Sequence, residues 1–202
     1  MPNWCENLLR ITGPEESLKS FKLTANGLNA AYNSLRGYRE DSWGPYEDIR
    51  VKAILSITPV GDISPLSFHA LYPIPEEIRR LPYDGVEARK ASMLMAIEHP
   101  GNGYDWEIEN WGVKWGASDS VISLETSERI EYLFVTPWAP PILLLKNIAP
   151  NWNMLNFHLS WEEPGMNLRG EIILEGGALV SETEEHFDGY DDDTETGPGR
   201  LC

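Results

Sequence analysis

Polar and apolar positions alternate over Asn7 to Thr12, the period of a strand with one face buried, and Gly13-Pro14-Glu15-Glu16 then opens a helix with proline early and carboxylates in its first turn. Leu18, Phe21 and Leu23 supply apolar positions on that helix, and Asn26-Gly27 gives it a stop. Residues 29–65 carry scattered Gly, Pro, Asp and Ser around two strands, of which Arg50 to Ile57 has the better pattern; the segment reads as an insertion. Leu66 to Leu71 returns to strand character. Tyr72-Pro73-Ile74-Pro75 forces extended backbone ahead of a short helix at Glu76 to Arg80. Gly85 to Glu98 reads as a helix with Val86, Met93, Leu94 and Ile97 on its apolar side, ended by His99-Pro100-Gly101.

The second half is more regular. Val121 to Leu124 and Ile130 to Thr136 read as a hairpin across the polar turn Glu125-Thr126-Ser127-Glu128. A helix follows from Pro140-Pro141-Ile142 through Asn147. Its Leu143, Leu144 and Leu145 are too continuous for an exposed helix, and Pro150 ends it. Met154 to Trp161 and Leu168 to Leu174 alternate and are joined across Glu163-Pro164-Gly165, where Pro and Gly suit a type II turn. Gly176-Gly177 turns the chain once more into a short edge strand at Ala178 to Ser181. The order predicts an α+β fold with a ferredoxin-like split βαβ core, an antiparallel sheet with helices on one face, and inserted elements.

The chain has 202 residues, 42% of them hydrophobic, enough for one packed domain over residues 1–180 with an appended tail at 181–202. No run of about eighteen apolar residues exists, and the N-terminus lacks a basic stretch leading into an apolar one, so the expected location is the cytoplasm. Net charge decides more. At −16 the chain argues against direct nucleic-acid binding, which rests on Lys and Arg neutralising phosphates. From Glu182 to Glu195 eight acidic residues stand against Arg200 alone, so the tail holds −7 and the remainder −9. Such a tail is expected to be a flexible, solvating segment. Its sharper reading is that Asp191, Asp192 and Asp193 imitate a phosphate backbone while Phe187 and Tyr190 serve as anchors.

Conventional chemistry is sparse. Cys5 and Cys202 lie at opposite ends and cannot build a disulfide framework or a four-ligand zinc site. Cys5, in an apolar strand beside Glu6, reads as a buried structural thiol. His69, His99, His158 and His186 are widely spaced, and the sequence shows no nucleophile elbow, Walker-type loop or zincin run. Glu162 and Glu163, as strand neighbours, point to opposite faces. Asp105, Glu107 and Glu109 would share one strand face, as a divalent-cation comb or as a solvated face. No catalytic residue, cofactor or metal is therefore expected.

The most specific feature is tryptophan-centred. Asn110-Trp111-Gly112-Val113-Lys114-Trp115-Gly116-Ala117, the opening Met1-Pro2-Asn3-Trp4-Cys5-Glu6-Asn7, Phe134-Val135-Thr136-Pro137-Trp138-Ala139-Pro140-Pro141 and Leu71-Tyr72-Pro73-Ile74-Pro75-Glu76-Glu77 together resemble the YubB-like family, ferredoxin-like proteins carried by phages and conjugative plasmids. Departures stand at Val113, where that family usually has Thr, at Gly116, where it has Asp, and at Pro137-Trp138-Ala139, where it has Ala-Trp-Ser. The resemblance implies a ferredoxin-like fold and an accessory or counter-defence role in a bacterial host.

From the residues themselves, Lys114 among Trp111, Trp115 and Trp138 forms either a packing motif or a recognition site that uses cation–π contacts. Two functions follow. One is a non-enzymatic accessory protein that binds and inhibits a host protein with a basic surface, such as a nucleic-acid-handling defence complex, through acidic surface and exposed aromatics. The other is a small-ligand or nucleotide-binding enzyme domain whose pocket is walled by the three tryptophans.

Overall fold

The computed structural model describes residues 3–36, 38, 44–97 and 101–187. Strand β1 (Trp4–Thr12) sends Cys5, Asn7, Leu9 and Ile11 into the core and its alternate residues to the opposite face. Helix α1 (Glu15–Ala25) starts after the extended Pro14, with Glu15 and Glu16 in its first turn, and buries Leu18, Phe21 and Ala25. Leu23, expected on that face, is exposed, because the helical period carries it round to solvent.

The expected hairpins are present as β4 (Ser118–Glu125) with β5 (Arg129–Pro137), and β6 (Asn156–Glu163) with β7 (Leu168–Glu175); α7 (Ile142–Ile148) lies between them. Strand β8 (Ala178–His186) completes a six-stranded sheet in the order β4-β5-β1-β6-β7-β8, every neighbouring pair antiparallel. Within it β1, α1, β4, β5, α7 and β6 trace the ferredoxin-like split βαβ arrangement, with β7 and β8 added beyond β6. The helices cover one face. Sheet residues Leu9, Ile11, Ile130, Tyr132, Phe134, Phe157, Leu159, Ile172 and Leu174 bury against Leu18, Phe21, Trp111, Leu144, Leu145 and Ile148. Among the described residues no helix covers the other face.

The sheet's edges differ. The register of β4 on β5 shifts twice, between Ser118 and Val121 and between Ile122 and Leu124. By contrast β8 pairs with β7 without interruption from Ser181 to His186 and carries Glu182, Glu184 and Glu185 along its length. The strand expected at Ala178 to Ser181 thus runs on to His186, into the segment where the tail was expected to start.

Between α1 and β4 two expected strands are helical, while the short helix expected at Glu76 and the helix expected from Gly85 are present. Arg50 to Ile57 falls largely on a helix, α2 (Pro45–Leu55), not a strand: Pro45 occupies its first turn with Glu47 and Asp48, and Val51 and Leu55, four apart, are its buried residues. They form a separate small core with Leu35, Leu81 and Ala91. Of the strand expected at Leu66 to Leu71, residues Phe68–Leu71 are one helical turn, α3, because the Ser67 hydroxyl accepts the Ala70 N–H at 3.1 Å. Two-residue strands β2 (Gly27–Leu28) and β3 (Ile63–Ser64) pair with each other, and the expected turn at Glu76 is present as α4 (Glu76–Arg79).

Helix α5 (Gly85–Met95) buries Ala88, Ala91 and Ser92, while Val86 and Met93 are exposed; the small residues form the packed stripe. At Glu163 to Asn167 the left-handed residue is Asn167 (φ 53°) and not Gly165, so the turn is not type II.

Candidate functional site

Asp105, Glu107 and Glu109 lie on a helix, α6 (Gly103–Trp111), not on a strand, and share no comb. The Asn102 side chain accepts the Asp105 N–H at 2.8 Å, and Gly112, left-handed at φ 83°, stops the helix. One turn before that stop, Glu107 points inward and is 1% exposed. Its Oε1 accepts the Tyr32 hydroxyl at 2.7 Å; its Oε2 accepts the Tyr83 hydroxyl at 2.8 Å and the Trp115 backbone N–H at 2.7 Å. Burial raises the Glu107 pKa, while these three donors pull it the other way. The carboxylate therefore ties the insertion, the segment before α5 and the tryptophan loop to one point.

The loop after α6 alternates between core and solvent. Trp111 is 1% exposed, its ring edge-on to Phe68 and Trp106, and its indole N–H is donated to the Tyr72 carbonyl at 3.1 Å. Val113 and Ala117 are buried too. Trp111 thus serves packing and forms no wall of a three-tryptophan pocket. Trp115 is left-handed at φ 68°, and Gly116 follows at φ 72°. That conformation costs a side-chain-bearing residue about 1–2 kcal/mol, whereas Gly116 adopts it freely at the position where the family resemblance has Asp.

Trp138, just beyond β5, is left-handed as well (φ 64°). Its backbone N–H donates to the Asn3 carbonyl at 2.9 Å, and the Thr136 hydroxyl donates to the Ala139 carbonyl at 2.7 Å, which fixes the corner. Trp115 and Trp138 stay 48% and 44% exposed, their ring centroids 6.3 Å apart. The Lys114 ammonium lies between them, 3.6 Å from the Trp115 centroid and 4.0 Å from that of Trp138. Both distances are within the range of cation–π attraction. Desolvation lowers the Lys114 pKa, and the Glu107 charge works in the opposite direction.

Of the residues singled out from sequence, Lys114, Trp115 and Trp138 come together and Trp111 sits behind them in the core. Phe187 contacts a different part of the chain: its N–H donates to the Asn167 carbonyl at 2.9 Å and its ring lies 5.8 Å from the Arg169 guanidinium. Tyr190, Asp191, Asp192 and Asp193 lie outside the described residues. Sequence reasoning missed Tyr32, Tyr83 and the inward role of Glu107. The signal available was the Asn102-to-Asp105 cap, which marks a helix start and excludes the strand reading of residues 105–109.

The open face of the sheet is the second surface of note. Glu6 is the direct cross-strand partner of Glu162, which is in register with Arg169, which is in register with Glu185. One step along, Leu133, Leu8, Ser160, Glu171 and Thr183 form the next row. Together they line a concavity of about 680 Å³. Arg10–Glu131 at 2.7 Å and His158–Glu171 at 2.8 Å flank it. Cys5 points the other way, and burial pushes its thiol up to about 12.

Fold and site together define a ferredoxin-like α+β protein with a covered and an open sheet face. Residues 110–197, from the tryptophan loop past β8, match the family described as the ferredoxin-like domain in Api92-like protein. Among solved structures, the crystal structure of protein api92 from Yersinia pseudotuberculosis is similar, with a TM-score of 0.61 at 11% identity, covering 94% of this chain and 100% of that one. That likeness is one of fold. No curated protein matches. Among the described residues no helix is long and apolar enough to cross a membrane.

Proposed function

We propose that the protein is a non-enzymatic accessory protein of a phage or plasmid that binds and inhibits a host protein with a basic surface, a nucleic-acid-handling defence complex, through its open sheet face and exposed indoles. The observation that carries this reading is the placement of Glu6 directly opposite Glu162 on an exposed, concave face. Like charges in that position repel; Arg169 stands beside Glu162 in the same row and pairs with Glu185 at 2.7 Å, yet carboxylates outnumber it on this face, and a cationic partner would meet that excess with attraction and a faster encounter. Leu8 and Leu133 supply apolar contact in the middle of the face, and Trp115 and Trp138 supply large rings of the kind that dominate interface energetics. Phosphate backbones would be repelled by the same carboxylates. The phage or plasmid setting and the defence target rest on the four sequence segments that resemble the YubB-like family.

The test is capture from bacterial host lysate with wild type and E6Q/E162Q side by side. A stoichiometric basic protein that wild type retains, that the double variant loses and that salt near 0.5 M releases would support the reading. A partner held equally by both proteins, or none at all, would overturn it.

A further inference from the structure

The geometry points to the cleft between Trp115 and Trp138 as a receptor for an arginine side chain of a protein partner, with Lys114 as the resident ligand that the incoming guanidinium displaces. This deepens the reading above by naming the group that the indoles would hold.

The cleft already recognises positive charge. One ammonium lies within 4.0 Å of both ring centroids, and the rings stand 6.3 Å apart and 42° from parallel, so two faces converge on a single cation. Among the described residues Lys114 makes no salt bridge with a carboxylate; the two rings hold its ammonium, and the Glu107 charge adds attraction without a direct contact. A cation held by ring faces without an ion pair is exchangeable for another, and guanidinium is the better occupant: it is planar, stacks on indole and is more weakly hydrated than ammonium.

The construction of the cleft also indicates use. Packing is served by Trp111, whereas Trp115 and Trp138 are each held in a left-handed conformation with the ring almost half exposed. Two independent backbone bonds keep them there, Trp115 N–H to Glu107 and Trp138 N–H to Asn3. Backbone strain of this kind persists where the surroundings over-determine it, and it concentrates at ligand clamps. Lys114, adjacent to Trp115 in sequence, acts as a tethered competitor whose high effective concentration lowers the affinity for any free cation.

N-acetyl-arginine amide is titrated into wild type and K114A while the indole Nε1–H signals of Trp115 and Trp138 are followed by NMR, with N-acetyl-citrulline amide as the uncharged isostere. Saturable shifts of both signals with the arginine compound, at least tenfold tighter in K114A than in wild type and absent with citrulline or in K114A/W138A, support the proposal. No response in K114A, or an equal response to citrulline, overturns it. If K114A does not fold, wild type gives the same comparison at higher concentrations: a response to arginine alone supports the cleft, and none overturns it. Arginine binding in a protein that captures no host partner supports the cleft and sinks the host-protein reading. A captured partner indifferent to W115A/W138A sinks the cleft and leaves the acidic face.

Discussion

The backbone N–H of Trp115 donates to Glu107 Oε2 at 2.7 Å, so a buried carboxylate eight residues earlier fixes the conformation of an exposed ring. Replacing Glu107 with Ala strands two tyrosine hydroxyls and that N–H in the interior, and we expect a loss of about 3 kcal/mol. Glu107→Gln preserves the shape. Because burial raises the Glu107 pKa, the folded chain holds this proton more tightly than the unfolded one. Its contribution is complete below 4.5, the ordinary value, and is lost as pH climbs through the folded value. Denaturant midpoints measured from about pH 4 to about pH 8 should show wild type losing ground to E107Q as pH rises; a constant gap would contradict this.

Two nearby tryptophans should respond to truncation by very different amounts. Trp111→Ala empties a core site and should cost about 3–5 kcal/mol. Trp115→Ala should cost no more than about 1 kcal/mol, since the ring is half in solvent. Trp115→Gly should be the more stable of the two Trp115 variants by about 1 kcal/mol, because glycine accepts a φ of 68° without penalty. Thermal melts of the three proteins decide the order.

Cys5 should be inert in the folded protein. With its thiol pushed up to about 12 by burial, a Cys202→Ser variant should resist alkylation at about pH 8 and become labelled only on unfolding. Rapid labelling under native conditions would refute the buried assignment.

His69 Nδ1 accepts the Ile74 N–H at 3.0 Å, and burial, aided by Arg79, lowers the ring's pKa to about 4. Its contribution to stability is present above 6.5 and is lost as pH falls toward about 4. An NMR titration of the ring should place its midpoint near 4, and His69→Gln should flatten that part of the stability profile.

The cross-strand pair offers a separable measurement. Glu6→Gln should leave stability unchanged or raise it by up to about 0.5 kcal/mol through relief of repulsion with Glu162, while weakening partner capture. A clear destabilisation would mean that the carboxylate serves the fold.

How much of this was legible in the chain depends on the range of the interactions. The alternation of β1, of the β4–β5 hairpin and of β6 with β7 is local, and it marked those strands and the split βαβ order. Where capping residues and alternation disagreed, alternation misled: Arg50 to Ile57 looks strand-like, yet Pro45, Glu47 and Asp48 start a helix just before it. Ser67 and Asn102 did the same for α3 and α6. The site divides along similar lines. Lys114, Trp115 and Trp138 stood out by type, but the Glu107 cluster joins Tyr32 and Tyr83 across 75 and 24 residues, a distance that no periodicity reports.

The unequal margins of the sheet bear on how copies of this molecule behave when crowded. Backbone groups along a regular outermost strand invite a further strand to join, and the usual protection is a broken register or charge. Broken register protects the β4 side. On the β8 side the register breaks once, between Leu179 and Ser181, and beyond it the guard is a run of glutamates, which turns away an identical chain but not one rich in arginine or lysine. Self-association is thereby discouraged by the same groups that would admit an oppositely charged visitor, so raising salt should weaken both effects together.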